Sequence, residues 1–142
     1  MARPKPFTVR SAIVCDDIRR EQNGKDILIG VYGGVIVVHD GFPASLPQFA
    51  LHLEIEISKL FYETSILRIV SPEGRDIVKI AGALNFRRTD EPAILSVVFG
   101  PVQFPMPGEY RIHLGLDGPD RRVSSFHVRE REPESSVDST LE

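Results

Sequence analysis

The chain has little with which to do covalent or redox chemistry. It holds one cysteine, Cys15, in 142 residues, so an intrachain disulfide is excluded. An apolar setting for that residue points to an inert buried thiol and a reducing compartment. There is no tryptophan and there are three tyrosines, which leaves few rings for stacking on sugars. No apolar run approaches the roughly 18 residues that span a membrane. The opening Met1–Pro6 lacks an apolar core of the signal-peptide kind. A cytoplasmic protein without a membrane partner is the expectation. No Gly-x-Ser-x-Gly elbow exposes a nucleophile, and no glycine-rich loop leads into a helix. Cofactor sites are not expected, and neither is enzymatic activity.

Basic excess is also missing. The net charge is −3, and Arg129 onward carries two arginines against five acidic groups. The rest holds fifteen of each sign, so the body is neutral and the acidity belongs to the tail. Nucleic-acid binding normally shows as a basic excess, so it is not expected.

What is present is period-two patterning. Phe49, Leu51, Leu53, Ile55 and Ile57 alternate with Ala50, His52, Glu54, Glu56 and Ser58. That rhythm predicts a strand with one dry and one wet face, since a helix would scatter these side chains around its axis. Tyr110, Ile112, Leu114 and Leu116 repeat the pattern against Arg111, His113 and Gly115.

Ser11–Val38 reads as strand, polar excursion, strand, Gly33-Gly34 turn and short strand, and is expected at the middle of a sandwich. Thr8–Asp16 is the first strand, Asp17–Asp26 is polar with a turn at Asn23-Gly24-Lys25, and Ile27–Tyr32 is the second. Gly30 inside that strand predicts a bulge or a close backbone approach. Val35–Val38 is the third, and Asp40–Pro47 reads as loop. Further strands are read at Thr64–Val70, Ile77–Leu84 and Ile94–Phe104, the last interrupted at Gly100-Pro101, where a kink or sheet switch is expected. In Val123–Val128 the two ends disagree in phase, which a bulge near Ser124 would reconcile.

The sum is all-β: an antiparallel β-sandwich, immunoglobulin-like or C2-like, of about eight or nine strands. Residues 1–7 are expected as a flexible lead, 8–129 as the sandwich domain and 130–142 as a disordered acidic tail.

Several segments together resemble a known group: Cys15-Asp16-Asp17, Gly24-Lys25, Ile29-Gly30-Val31-Tyr32, Phe42-Pro43, and Pro107-Gly108-Glu109-Tyr110 with Asp117-Gly118. The chain is similar there to small bacterial proteins of uncharacterised function, a domain-of-unknown-function family. The resemblance spans most of Ser11–Val128. It implies an all-β sandwich and a bacterial or phage source, and no activity.

The candidate constellations each have a plainer reading. Asp16, Asp17, Asp117 and Asp120 sit at strand ends and could gather as oxygen ligands for calcium in a C2-like module; equally, aspartate starts turns. His52, Glu54, Glu56 and His113 could meet around zinc if their strands pair, or could form a solvated charged face. Arg19-Arg20, Arg87-Arg88 and Arg121-Arg122 could form an anion patch or remain solvated loop charge. Leu60-Phe61-Tyr62 places three large apolar side chains in an expected loop, either folded over a sandwich end or exposed to a partner. The expectation is a non-catalytic binding or accessory module acting through a protein partner or self-association, with a ligand- or calcium-binding module and an unrecognised enzyme as alternatives.

Overall fold

A computed structural model describes residues 7–132. The flexible lead expected over Met1–Pro6 and the disordered tail expected beyond Glu132 lie outside the described residues. Eleven strands follow in order: β1 Phe7–Arg20, β2 Asp26–Val31, β3 Val35–Val38, β4 Ala44–Leu46, β5 Phe49–Ile57, β6 Phe61–Val70, β7 Asp76–Asn85, β8 Ala93–Phe99, β9 Val102–Phe104, β10 Gly108–Leu116 and β11 Arg121–Glu130. They build one sheet in the order β2-β1-β5-β8, a second in the order β3-β11-β10-β6-β7, and a small pair β4-β9.

The two main sheets close on one core. β5 contributes Phe49, Leu51, Leu53 and Ile55, all fully buried, as the alternation predicts. From the second sheet come Leu67 and Ile69 of β6, Tyr110, Ile112, Leu114 and Leu116 of β10, and Phe126 and Val128 of β11. Four rings tie the layers together. Phe49 lies 5.7 Å from Phe126 and 5.8 Å from Phe104 between ring centroids, and Tyr110 stacks on Phe126 at 5.7 Å. Phe104 belongs to β9, so the β4-β9 pair closes one end of the core.

Two tyrosines brace the second sheet in the same way. The Tyr110 hydroxyl donates to the Met106 carbonyl at 2.7 Å. The Tyr62 hydroxyl accepts from the Ser58 N–H at 3.2 Å. In each case a buried phenol returns to the backbone four residues upstream and satisfies its polar atom inside the core.

The structure corrects several expectations. There are eleven strands, not eight or nine. The sheet switch expected at Gly100-Pro101 is present: proline cannot donate to the ladder, and the chain leaves the first sheet there. β4 was read as loop; its three residues are too few for periodicity to register. Of the Ser11–Val38 unit only β1 is internal, while β2 and β3 are edges. β3 also runs parallel to β11, so the second sheet is mixed. β1 continues to Arg20 through residues that read as polar excursion, because backbone pairing with Asp26–Ile29 needs no apolar alternation. The phase conflict in β11 is resolved as expected. Ile112 pairs with Ser124 and His113 with Arg122, which leaves Val123 as the extra residue.

The outward face of the first sheet is only partly wet. Ile13, His52 and Ser96 lie in register across β1, β5 and β8. Asp26 opposes Arg20, seven residues beyond Ile13. At roughly 3.3 Å per residue a straight strand would carry it about 23 Å away. Yet the Asp26 carboxylate meets Ser96 and His52. The distal β1–β2 hairpin is therefore folded back over the sheet. Gly30, between the Cys15–Val31 and Asp17–Ile29 pairs, takes φ +68° and marks the bend. This cover explains why Cys15 and Ala50, on the outward row, are fully buried.

Candidate functional site

The sequence-predicted aspartates separate into two places. The Arg121 guanidinium donates to the Phe7 carbonyl at 2.6 Å, so the Asp117–Asp120 turn lies beside the start of β1. Asp16 and Asp17 lie nine and ten residues along that strand. Calcium would need these groups at one end, and the fold puts them at opposite ends of β1.

Each aspartate has a structural partner instead. The Tyr32 hydroxyl donates to the Asp16 carboxylate. A Cβ on Gly30 would fall 2.3 Å from the same carboxylate, so the glycine makes room for a side chain, where the sequence predicted a bulge or an approaching backbone. Burial foremost, and the bond to Asp16 second, push the Tyr32 phenol well above its ordinary range. Asp17 accepts from the Ile18 N–H at 2.8 Å and from Arg19 at 2.5 Å; the arginine holds its carboxyl below the usual range.

Asp117, at φ 50°, accepts from Lys59 and from the Thr64 N–H at 2.8 Å, and Lys59 foremost depresses its pKa. Asp120 takes both arms of Arg68, at 2.8 and 3.3 Å, which lowers its pKa. Arg68 also reaches Asp76 at 2.7 Å, so one guanidinium ties β6, β7 and the β10–β11 turn.

The imidazoles and glutamates do not meet either. His52, Glu54 and Glu56 are on β5 in the first sheet and His113 is on β10 in the second, so the strands do not pair. Both rows face away from the shared core, on opposite sides of the sandwich. Arg10 lies 3.4 Å from Glu54, and His113 lies 3.6 Å from Asp120. Among the described residues no group of three or more His, Cys, Asp or Glu is gathered to hold a metal ion.

The arginine pairs are likewise engaged one by one. Arg20 lies 3.6 Å from Asp26, Arg88 bonds Asp90 at 2.5 Å, and Arg122 bonds Glu109 at 3.1 Å. Burial foremost raises the Cys15 thiol pKa, and Asp16 adds to it.

One polar cluster escaped the sequence reading. Ser96 Oγ donates to Asp26 Oδ2 at 2.7 Å, and His52 Nε2 lies 3.6 Å from the same oxygen. Asp26 is only 9% exposed through its side chain. Its Oδ1 and His52 Nδ1 are buried without a hydrogen-bond partner. The serine hydroxyl donates to the acid, and the imidazole faces the same oxygen, so the carboxylate is the shared partner of both. The cluster holds the hairpin on the sheet. Sequence gave no signal for it, because residues 26 and 96 are distant and Asp26 reads as the end of a turn.

The Leu60-Phe61-Tyr62 triplet divides. Tyr62 is fully buried, 6.0 Å from Phe86 between centroids, and belongs to the core. Of the two readings of the triplet, Tyr62 follows the folded-in one and the other two the exposed one: Leu60 is 47% and Phe61 49% exposed, and the expected loop is already strand from Phe61. Strand alternation turns Tyr62 inward once β6 begins at Phe61. The pair is held on a rigid corner. The Phe86 N–H donates to the Leu60 carbonyl at 2.7 Å, and Lys59 sits 5.1 Å over the Tyr62 ring while bonded to Asp117.

Among the hollows of the surface, one of about 340 Å³ is lined by Arg10, Glu56, Ile57, Thr89, Asp90, Glu91 and Pro92. Arg10 lies 4.0 Å from Glu56, while Asp90 and Glu91 pair with Arg88 outside the hollow. No helix among the described residues is long and apolar enough to cross a membrane.

No curated protein matches the chain. Residues 10–129 match a family of unknown function, DUF6941, which takes in every strand either wholly or in its greater part. The chain belongs to that family.

Proposed function

We propose that the protein is a non-catalytic binding or accessory module that acts through protein contact at the corner formed by Leu60 and Phe61. The observation that carries this reading is the pairing of two half-exposed large apolar side chains with a fixed backbone beneath them. A backbone already held loses little conformational freedom on contact, which favours the apolar side chains it carries as anchors. The titratable clusters support the same reading, because the carboxylates are committed to arginine, lysine, tyrosine or backbone partners within the fold. The buried thiol suits a reducing compartment and supports a cytoplasmic setting. The Tyr110 hydroxyl returning to Met106 resembles the tyrosine corner of immunoglobulin-type sandwiches, and favours that class over a C2-like one.

Affinity capture from the native host tests the reading, with wild type beside a Leu60→Asp, Phe61→Asp double variant. A protein recovered with the wild type and lost with the variant, at an unchanged melting temperature, is the expected result. Equal recovery by both removes the corner from consideration.

A further inference from the structure

The second sheet ends in β7, ten residues long, with β6 as its ladder partner. Edge strands of this length are normally blunted by charge, proline or a bulge. β7 opens on Asp76 and carries a bulge at Ile77, the extra residue between the Ile69–Val78 and Val70–Asp76 pairs; from Val78 to Asn85 it has one charge, Lys79, and neither proline nor a further bulge. Its inward row is Val78, Ile80, Gly82 and Leu84, as the pairing of Val78 with Ile69 and of Ile80 with Leu67 fixes. The first sheet has four strands against five and does not cover this edge, so inward-facing Ile80 is 40% exposed. A Cβ on Gly82 would meet nothing within 4 Å, so the inward row carries a gap beside that isoleucine.

We propose that β7 pairs antiparallel with β7 of a second copy of this chain, about a two-fold axis at Ala81. This rests on the protein-contact reading above and names self-association as one such contact, along the β7 edge, whose Asn85 end adjoins the Leu60–Phe61 corner. A two-fold axis through the sheet keeps core-side residues with core-side residues. In the register centred on Ala81, Ile80 of one copy lies opposite Gly82 of the other and fills the gap there. Val78 lies opposite Leu84, and Ile77 opposite Asn85. Lys79 meets Ala83, so no like charges oppose each other. Centring on Lys79 would set that lysine against itself, and centring on Ile80 would set Asp76 against Leu84. The Ala81 register alone of these three keeps every charge clear of a charge or an apolar side chain of the inward row. The product is a continuous sheet of ten strands, with both copies contributing Ile80 to a shared apolar seam.

The test reads mass by light scattering, at low salt and over a concentration series. Wild type is expected to show a dimer, and Ala83→Lys to weaken it by on the order of tenfold, because two like-charge contacts arise per dimer. Ala83→Glu is expected to preserve the dimer, and Lys79→Glu added to Ala83→Lys to restore it. Ala83 is exposed, so a thermal melt checks that each variant is folded. A monomeric wild type across the series overturns the proposal, as does a dimer indifferent to the Ala83 charge. Either result leaves capture of a partner at Leu60 and Phe61 to be read independently.

Discussion

Asp26 Oδ2 accepts a 2.7 Å hydrogen bond from Ser96 Oγ, seventy residues away and across the two intervening strands β1 and β5. This contact, with His52 beside it, clips the distal β1–β2 hairpin to the outward face of the first sheet. Ser96→Ala leaves a buried carboxylate short of its donor. The expected cost is about 1–3 kcal/mol, concentrated in the hairpin. Hydrogen exchange should show Asp26–Val31 losing protection while β10 keeps it. Uniform loss, or none, would mean the clip does not hold the hairpin.

Gly30 sits at the bend with φ +68° and with Asp16 where a Cβ would go. Gly30→Ala therefore brings backbone strain and displaces the acceptor of the Tyr32 hydroxyl. A loss of about 1–2 kcal/mol in urea unfolding is expected. Gly24→Ala, with open space around it, shares the strain but not the displacement, and should cost less.

Acid should loosen the turn between β10 and β11. Asp117 and Asp120 have depressed pKa values, caused foremost by Lys59 and Arg68 respectively. Their contribution is present above the unfolded carboxylate pKa of about 3.9 and is lost as pH falls through the lower folded values. The denaturation midpoint should drop more steeply below about pH 4 in wild type than in Asp120→Asn. Equal slopes would assign the acid sensitivity elsewhere.

Alkali acts on the tyrosines in the opposite sense. Tyr32 is raised by burial and by Asp16, and Tyr110 is raised by burial. The stability they contribute is complete below the unfolded value of about 10 and is lost as pH rises beyond it. Tyr32→Phe should flatten, without abolishing, the decline in melting temperature above about pH 10. A steeper decline in the variant would contradict the assigned environment.

The strands that could be read from sequence are those whose alternation is enforced by a core. Phe49–Ile57 and Tyr110–Leu116 repeat every second residue because the opposite sheet covers one face, and both appear where expected. The Val123 bulge was legible for the same reason: burial on both sides of it fixes two phases that only an extra residue can join. Legibility fails where backbone pairing alone makes the strand. Asp17–Arg20 buries no periodic face, and Ala44–Leu46 is too short for its alternation to register, so composition cannot mark them. The polar clusters fail for a different reason. Asp26, His52 and Ser96 converge only because the hairpin folds back, and that bend rests on a single glycine conformation. Of the aspartates expected at strand ends, Asp117 and Asp120 are there, but Asp16 and Asp17 lie within β1, because pairing with β2 carries that strand on to Arg20.

Core truncation checks the shared interior. Leu53→Ala should cost about 2–5 kcal/mol, since Leu53 is fully buried between the sheets. A change below about 1 kcal/mol would mean that the dry face is not packed.

The contrast between surface and chemistry is tested most directly by quantitative capture with three forms of the protein side by side: wild type, Phe61→Asp and His52→Ala. Partner recovery is expected to fall only for Phe61→Asp, with His52→Ala matching wild type at temperatures where it is folded. Recovery that survives Phe61→Asp and is lost with His52→Ala would contradict the proposal and move the working site to the Asp26, His52 and Ser96 cluster.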